Sequence, residues 1–241
     1  MALRDTVALI TGAGRGIGRG IALAFAGQGC DIAAVARTTD EIEETADAVR
    51  RLGRRALAIA CDVTVSHDVS EAVRTVEKAL GPVDILVNNA GYGSFKPFVD
   101  TDEGVWRRTI DVNLTGPFLC IQAVLPGMMA RRRGRIINIS SVAGLKPIAE
   151  QSAYCASKHG LNGLTKVLAM EMRPYGIGVH AICPGGVDTR LARENMPDRD
   201  KTNWLQPEDI AHVALFLATQ SPRAATDEIV VRRFDSVPIG G

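Results

Sequence analysis

Thr11-Gly12-Ala13-Gly14-Arg15-Gly16-Ile17-Gly18 is the stretch whose reading decides the fold. It follows Val7-Ala8-Leu9-Ile10, a short, partly β-branched apolar run that reads as a buried strand. After it comes Ile21-Ala22-Leu23-Ala24-Phe25-Ala26, good helix formers with an apolar face, stopped near Gly27 and Gly29. Strand, glycine turn and helix in that order aim backbone N–H groups and a helix N-terminus at one point, where a pyrophosphate can be received. Gly12, Gly14, Gly16 and Gly18 permit the tight turn and the approach of backbone to phosphate. Without its flanks the same octapeptide would read as an ordinary flexible turn.

The pattern continues along the chain. Strands are predicted at 7–10, 31–36, 56–60, 84–87, 135–139, 178–182 and 228–231, and helices at 17–27, 39–52, 67–80, 101–112, 114–131, 153–173 and 207–219. Such alternation specifies an α/β fold, a doubly wound, seven-stranded parallel sheet with helices on both faces. No repeat, low-complexity tract or linker interrupts it, so residues 1–241 are expected to form one domain. Ligands of open parallel sheets bind beyond the carboxyl ends of the strands. Asn88, Ser141 and Pro184 are expected just past strand ends, on the same edge as the glycine turn.

Bulk properties narrow the function classes. A net charge of +1 without a long basic block gives no electrostatic footprint for nucleic acid. No apolar stretch is expected to reach the roughly 20 residues that span a membrane. Met1-Ala2-Leu3-Arg4-Asp5 runs into the first strand and leaves no room for a signal peptide, so a cytoplasmic location is expected. The 5 cysteines are scattered, no Cys-x-x-Cys occurs and the histidines do not join them, so neither a metal site nor a disulfide framework is expected. Cys155 reads as a small helix residue rather than a nucleophile.

A second motif, Tyr154-Cys155-Ala156-Ser157-Lys158, lies 13 residues beyond Ser141. Tyrosine and lysine four apart on a helix share a face. A nearby ammonium favours the phenolate, so Lys158 is expected to pull Tyr154 down from about 10 and make it a usable acid or base. Asn113, on its residue type alone, reads as a helix-breaking polar residue or an N-cap.

Taken together, these motifs resemble the short-chain dehydrogenase/reductase family over nearly the whole length. The resemblance rests on Thr11, Gly12, Gly16 and Gly18, on Asn88-Asn89-Ala90-Gly91, on Asn113, Ser141, Tyr154 and Lys158, and on Pro184-Gly185 followed by Val187 and Thr189. It implies a Ser-Tyr-Lys mechanism extended by Asn113. Tyr154 would exchange a proton with a carbonyl or hydroxyl oxygen, which Ser141 would hold. Lys158 would bond the nicotinamide ribose, and Asn113 would hold a water linking Lys158 to solvent. The hydride would travel on the nicotinamide. By the same resemblance Asp62 contacts adenine with Val63 beside it, Asn89, Ala90 and Gly91 flank the cofactor, and 186–205 forms a lid over the substrate.

Cofactor choice has its own local signal. Where an acidic residue would bond the ribose hydroxyls of NAD, the chain reads Val35-Ala36-Arg37-Thr38. Arg37 is suited to pair with a 2′-phosphate, Arg15 could approach the same group, and Asp40 and Glu41 are expected too late in the chain to interfere. NADP(H) is therefore expected over NAD(H). The general likeness is to 3-oxoacyl-acyl-carrier-protein reductases and similar ketone reductases, with other small ketones, sugars or steroids as alternative substrates. A non-enzymatic dinucleotide sensor is opposed by the retained Asn113, Ser141, Tyr154 and Lys158. Arg131-Arg132-Arg133 and Arg173 stand where such reductases carry residues that meet an acidic carrier protein, although a cationic helix terminus alone accounts for them. Segments 114–131 and 153–173 are apolar beyond a single stripe, which suggests at least a homodimer through these helices, and by the resemblance a homotetramer. The tail departs from the family pattern: Arg232-Arg233-Phe234-Asp235 replaces the usual glycine-rich ending, and only Gly240-Gly241 closes the chain.

Overall fold

The computed structural model describes residues 3–221 and 223–237. Seven parallel strands form one sheet: β1 (Val7–Thr11), β2 (Asp31–Ala36), β3 (Ala56–Ala60), β4 (Ile85–Asn88), β5 (Gly134–Ile139), β6 (Ile177–Pro184) and β7 (Glu228–Val231). Their spatial order is β3-β2-β1-β4-β5-β6-β7. The chain therefore builds outward from β1 in one direction, crosses back to β4, and builds outward in the other. The crevice between the carboxyl ends of β1 and β4 is where such a sheet admits a ligand. Asn88 and Pro184, expected just beyond strands, are the last residues of β4 and β6.

Both sheet faces are covered, which is why the strands read as near-continuous apolar runs. Alternation along β1 shows the two cores: Ala8 and Ile10 face one, Val7 and Leu9 the other. The first core is closed by α1 (Gly16–Gly27), α2 (Thr39–Arg51) and α8 (Pro207–Thr219), with Phe25, Ile42 and Leu217 fully buried. The second is closed by α3 (Ser66–Ala79), α5 (Gly116–Arg131) and α6 (Ser152–Met172) through Val76, Val124 and Met172. Helix α1 stops at Gln28, and Gly29, at φ +90°, turns the chain into β2.

The predicted break between two helices at Asn113 does not occur. Helix α4 (Glu103–Ile110) continues through a π turn (Asp111–Thr115) into α5. Asn113 does not interrupt the backbone because its amide is satisfied elsewhere: Oδ1 accepts from Tyr92 N (2.8 Å), and Nδ2 donates to Tyr92 O (2.8 Å) and Ser157 Oγ (3.0 Å). One continuous helical run, Glu103–Arg131, results. It is long and apolar enough by length and composition to cross a membrane, so the expectation that no such stretch exists is corrected. Its apolar character has a local cause. Cys120, Ile121, Val124 and Met128 are buried against the sheet.

Candidate active site

The glycine turn is braced from β4. Thr11 Oγ1 accepts from the backbone N–H groups of Asn89 and Ala90, each at 3.0 Å. Asn89 Nδ2 donates back to Thr11 O (2.9 Å) and Gly12 O (3.1 Å). Gly12 sits at φ +64°, where a side chain would be strained. A Cβ on Gly18 would fall onto the Gly12 carbonyl and within 2.5 Å of Asn89 Nδ2. Helix α1 can therefore approach the turn only with glycine at that position. No side chain caps α1, and Gly16 and Ile17 line the cleft, so its first-turn N–H groups are free for an anion.

The cleft has a volume of about 1650 Å³ and is lined by residues from both ends of the chain. Ser141, Tyr154 and Lys158 meet at its floor. Ser141 Oγ accepts from Ala143 N (3.1 Å), capping a short 3₁₀ turn, lies 3.5 Å from Pro184 O, and is near enough to the Tyr154 phenol to lower its pKa. Phe95 meets the Tyr154 ring edge-on at 5.4 Å. Two buried asparagines hold α6 to the sheet below: Asn88 Nδ2 donates to Asn138 Oδ1 (2.9 Å), and Asn138 Nδ2 donates to Thr165 Oγ1 (2.8 Å). Asn113 reaches α6 through Ser157, between Tyr154 and Lys158.

The expected depression of the Tyr154 pKa is not what the protein alone shows. Burial pushes Tyr154 up to about 12, against the lowering effect of the Ser141 hydroxyl. Lys158 does not counter this, because its ammonium is aimed elsewhere. Nζ donates to Ile139 O at 2.9 Å and lies 5.6 Å from the Tyr154 ring centroid. Burial in turn pushes Lys158 down to about 8. Both groups are thus shifted toward their uncharged forms, as desolvation requires.

At the other end of the cleft, Asp62 Oδ1 accepts from Thr64 N (3.0 Å) and Thr64 Oγ1 (2.8 Å). Burial pushes its carboxyl up, but the Thr64 bonds together with the charges of Arg37 and Arg108 hold it below the ordinary value. Arg37 is exposed and makes no hydrogen bond or ion pair with the described residues. The expectation that no carboxylate approaches the turn is corrected. Glu41, in the first turn of α2, packs against Gly14 and takes Arg15 Nη1 at 2.6 and 2.8 Å. Sequence distance missed it because α2 folds back over the turn.

The lid expected over 186–205 is closed at its base. Val187 and Leu205 form a parallel bridge, with Leu205 N donating to Gly186 O at 3.1 Å. Trp204 covers Gly186, and Thr189 both caps the short helix α7 (Arg190–Asn195) and touches Gly16 across the cleft. Arg190 of α7 reaches Glu41 at 3.7 Å. Gly91, Val63, Pro184 and Gly185 line the cleft. The arginine cluster does not. Arg131–Arg133 precede β5, at the opposite edge of the sheet, where Arg131 donates to Val83 O (2.9 Å), Arg132 to Pro174 O, and Arg133 pairs loosely with Asp84 (3.6 Å). Gly240-Gly241 lie outside the described residues, but Arg232, Arg233 and Asp235 line the cleft, which the sequence did not reveal. Among the described residues no cluster of potential metal ligands occurs.

A parallel sheet with this switch point, a braced glycine turn and a Ser-Tyr-Lys floor define a dinucleotide-dependent oxidoreductase class. The chain belongs to the short-chain dehydrogenase/reductase family: the short chain dehydrogenase family model matches residues 6–200. It is 39% identical to the uncharacterized oxidoreductase YxjF of Bacillus subtilis, covering 95% of this chain and 97% of that protein. It is 36% identical to a 3-oxoacyl-[acyl-carrier-protein] reductase of Staphylococcus epidermidis, covering 92% and 95%. Among solved structures it matches a metagenomic short-chain oxidoreductase in complex with NADP (TM-score 0.85, 36% identity, 97% and 99% covered). It also matches carveol dehydrogenase from Mycobacterium avium in complex with NAD (TM-score 0.89, 31% identity, 96% and 97% covered).

The Lys158 environment yields a stability prediction for the cofactor-free protein. Below pH 8 the lysine is charged in both states, and the folded state carries the full cost of desolvating it. Between about 8 and the ordinary value of 10.5 the folded protein releases the proton first. The unfolded chain then binds more protons, so folded stability rises with pH through that window. Urea unfolding of the parent and Lys158→Met across pH 7–10.5 should show the parent gaining stability relative to the variant; parallel curves would contradict the assigned burial.

Proposed function

We propose that this protein is an NADP(H)-dependent reductase of a small carbonyl compound, or the corresponding alcohol dehydrogenase in reverse. The observation that carries it is the Tyr154 phenol, held protonated by burial and lining the cleft together with Ser141 and Lys158. The nicotinamide supplies or receives the hydride when bound. Tyr154 donates its proton to the substrate oxygen as negative charge develops there, and the Ser141 hydroxyl stabilises the same oxygen. Lys158 is available for the nicotinamide ribose once it leaves Ile139 O. Asn113 acts as a brace in this scheme: it is fully buried and both amide hydrogens are used, so its side chain fixes the Tyr92 loop against α6. With the charge cluster Arg131–Arg133 facing away from the cleft, a free small carbonyl compound stands ahead of a carrier-bound thioester, despite the name of the Staphylococcus relative.

NADP(H) is favoured because Arg37 is free while Glu41 is neutralised by Arg15 and Arg190. One similar solved structure holds NADP and another NAD, so the reading rests on the local charges. We also propose that copies pair through α5 and α6, where Phe118, Val167 and Met170 are left exposed at 43%, 52% and 77%. A cytoplasmic, single-domain enzyme over residues 1–241 completes the reading.

Tyr154→Phe is expected to lower ketone reduction by about 10²- to 10⁴-fold while cofactor binding, followed by fluorescence, survives. Retention of most turnover would reject the assigned proton donor.

In the same titration the parent should bind NADPH more tightly than NADH. Arg37→Asp should cut or reverse that preference by about one to two orders of magnitude, the worth of a charge-assisted bond. Glu41→Gln, which frees Arg15, should widen it. Equal affinities in the parent, unmoved by either change, would exclude this phosphate site.

Light scattering at micromolar concentration should give at least twice the chain mass. An active monomer would refute the pairing of α5 and α6.

A further inference from the structure

Arg232 is delivered to the substrate end of the cleft by strand β7. Pairing of β7 with β6 places Val231 O on the Gly185 N–H at 2.7 Å. Arg232 Cα then lies 3.5 Å from where a Cβ on Gly185 would stand. Gly185 follows Pro184, whose carbonyl faces the Ser141 hydroxyl at 3.5 Å. Arg232 thus lines the cleft on the side of the reacting groups.

Its guanidinium is held in place yet half unused. Nη1 donates to Arg233 O (3.2 Å) and to Ser236 O, folding the tail around it. Nε and Nη2, the edge that can grip an oxyanion with two parallel bonds, have no partner among the described residues. The neighbouring acid, Asp235, pairs with Arg233 instead, at 3.6 Å. Lys146, Arg199, Glu150 and Asp198 also line the cleft, but all four are exposed and their charges cancel. Arg232 is partly buried and has no ion pair among the described residues, so on this side of the cleft it is, with Lys158, a cation left without a counter-ion, and of the two it alone offers a two-pronged edge.

We propose that Arg232 selects substrates bearing a carboxylate: the physiological substrate is a small oxo acid, or the matching hydroxy acid in the oxidative direction. This rests on the reading of Ser141 and Tyr154 given above. Hydride adds to the carbonyl carbon, the Tyr154 proton goes to its oxygen, and the carboxylate is unchanged, serving only to anchor the molecule on Nε and Nη2.

The test compares each acid with its methyl ester, 4-oxopentanoate and 3-oxobutanoate being suitable, with NADPH and with NADH. In the parent kcat/KM should favour the acid by about 10-fold or more. In Arg232→Gln the acid value should fall by about 10- to 100-fold, mainly through KM, bringing the acid-to-ester ratio near unity. Arg232→Lys keeps the charge without the fork and should recover part of the ratio. Equal use of acid and ester by the parent, or a ratio that survives Arg232→Gln, overturns the proposal while leaving the reductase reading intact. If no ketone is turned over with either cofactor, the reductase reading fails on its own. Calorimetric binding of 4-oxopentanoate to parent and Arg232→Gln then decides Arg232: loss of binding in the variant upholds the carboxylate site, and unchanged or absent binding rejects it.

Discussion

The reciprocal hydrogen bonds between Thr11 and Asn89 join β1 to β4 at the one place where the sheet reverses its direction of growth. Neighbouring strands elsewhere hold each other through the backbone ladder. At this crevice the ladder ends, and the two chains would be free to diverge. Four side-chain bonds stop them. They also fix the glycine turn, since Asn89 accounts for the Gly12 carbonyl that a phosphate-facing turn would otherwise leave bare. The position of α1, and with it the exposed first-turn N–H groups, follows from that geometry.

A similar constraint sets the catalytic floor. Asn88, Asn138 and Thr165 form a buried relay from β4 through β5 to α6, and Asn113 adds a second tie from the π turn to Ser157. Each donor in these ties meets a single buried acceptor, which makes them specific about register, although Asn88 Oδ1 is left without a partner among the described residues. The result is that Tyr154 and Lys158 are delivered to the cleft from a helix that cannot slide. Burial at that spot then sets their protonation. The phenol keeps its proton and the ammonium is weakened, which is the opposite of what a bare Tyr–Lys pair would give.

Charge in the cleft is organised by tertiary contact rather than by composition. A chain of net charge +1 places Arg15 and Arg190 on Glu41, leaves Arg37 free beside Asp62, and leaves Arg232 free beside Gly185. Guanidinium groups without an ion pair at the two ends of one cleft are a local property that no overall balance reveals.

Hydrophobic period and glycine spacing are written along the chain, so the seven strands, the alternation with helices and the turn at Gly12–Gly18 were legible there. Ser141, Tyr154 and Lys158 were legible too, because strand ends on one edge and a helical spacing of four determine which side chains can meet. The π turn at Asn113 was not, since its continuity depends on the Tyr92 loop arriving to satisfy the amide. Nor were the place of Glu41 against Gly14, the aim of Lys158 at Ile139 O, or the return of Arg232 to the cleft. Periodicity reports which face of an element avoids water, and that is a local property. Which charge stands beside which backbone carbonyl, and which is left without a counter-ion, is decided only when separate elements pack and water is excluded between them.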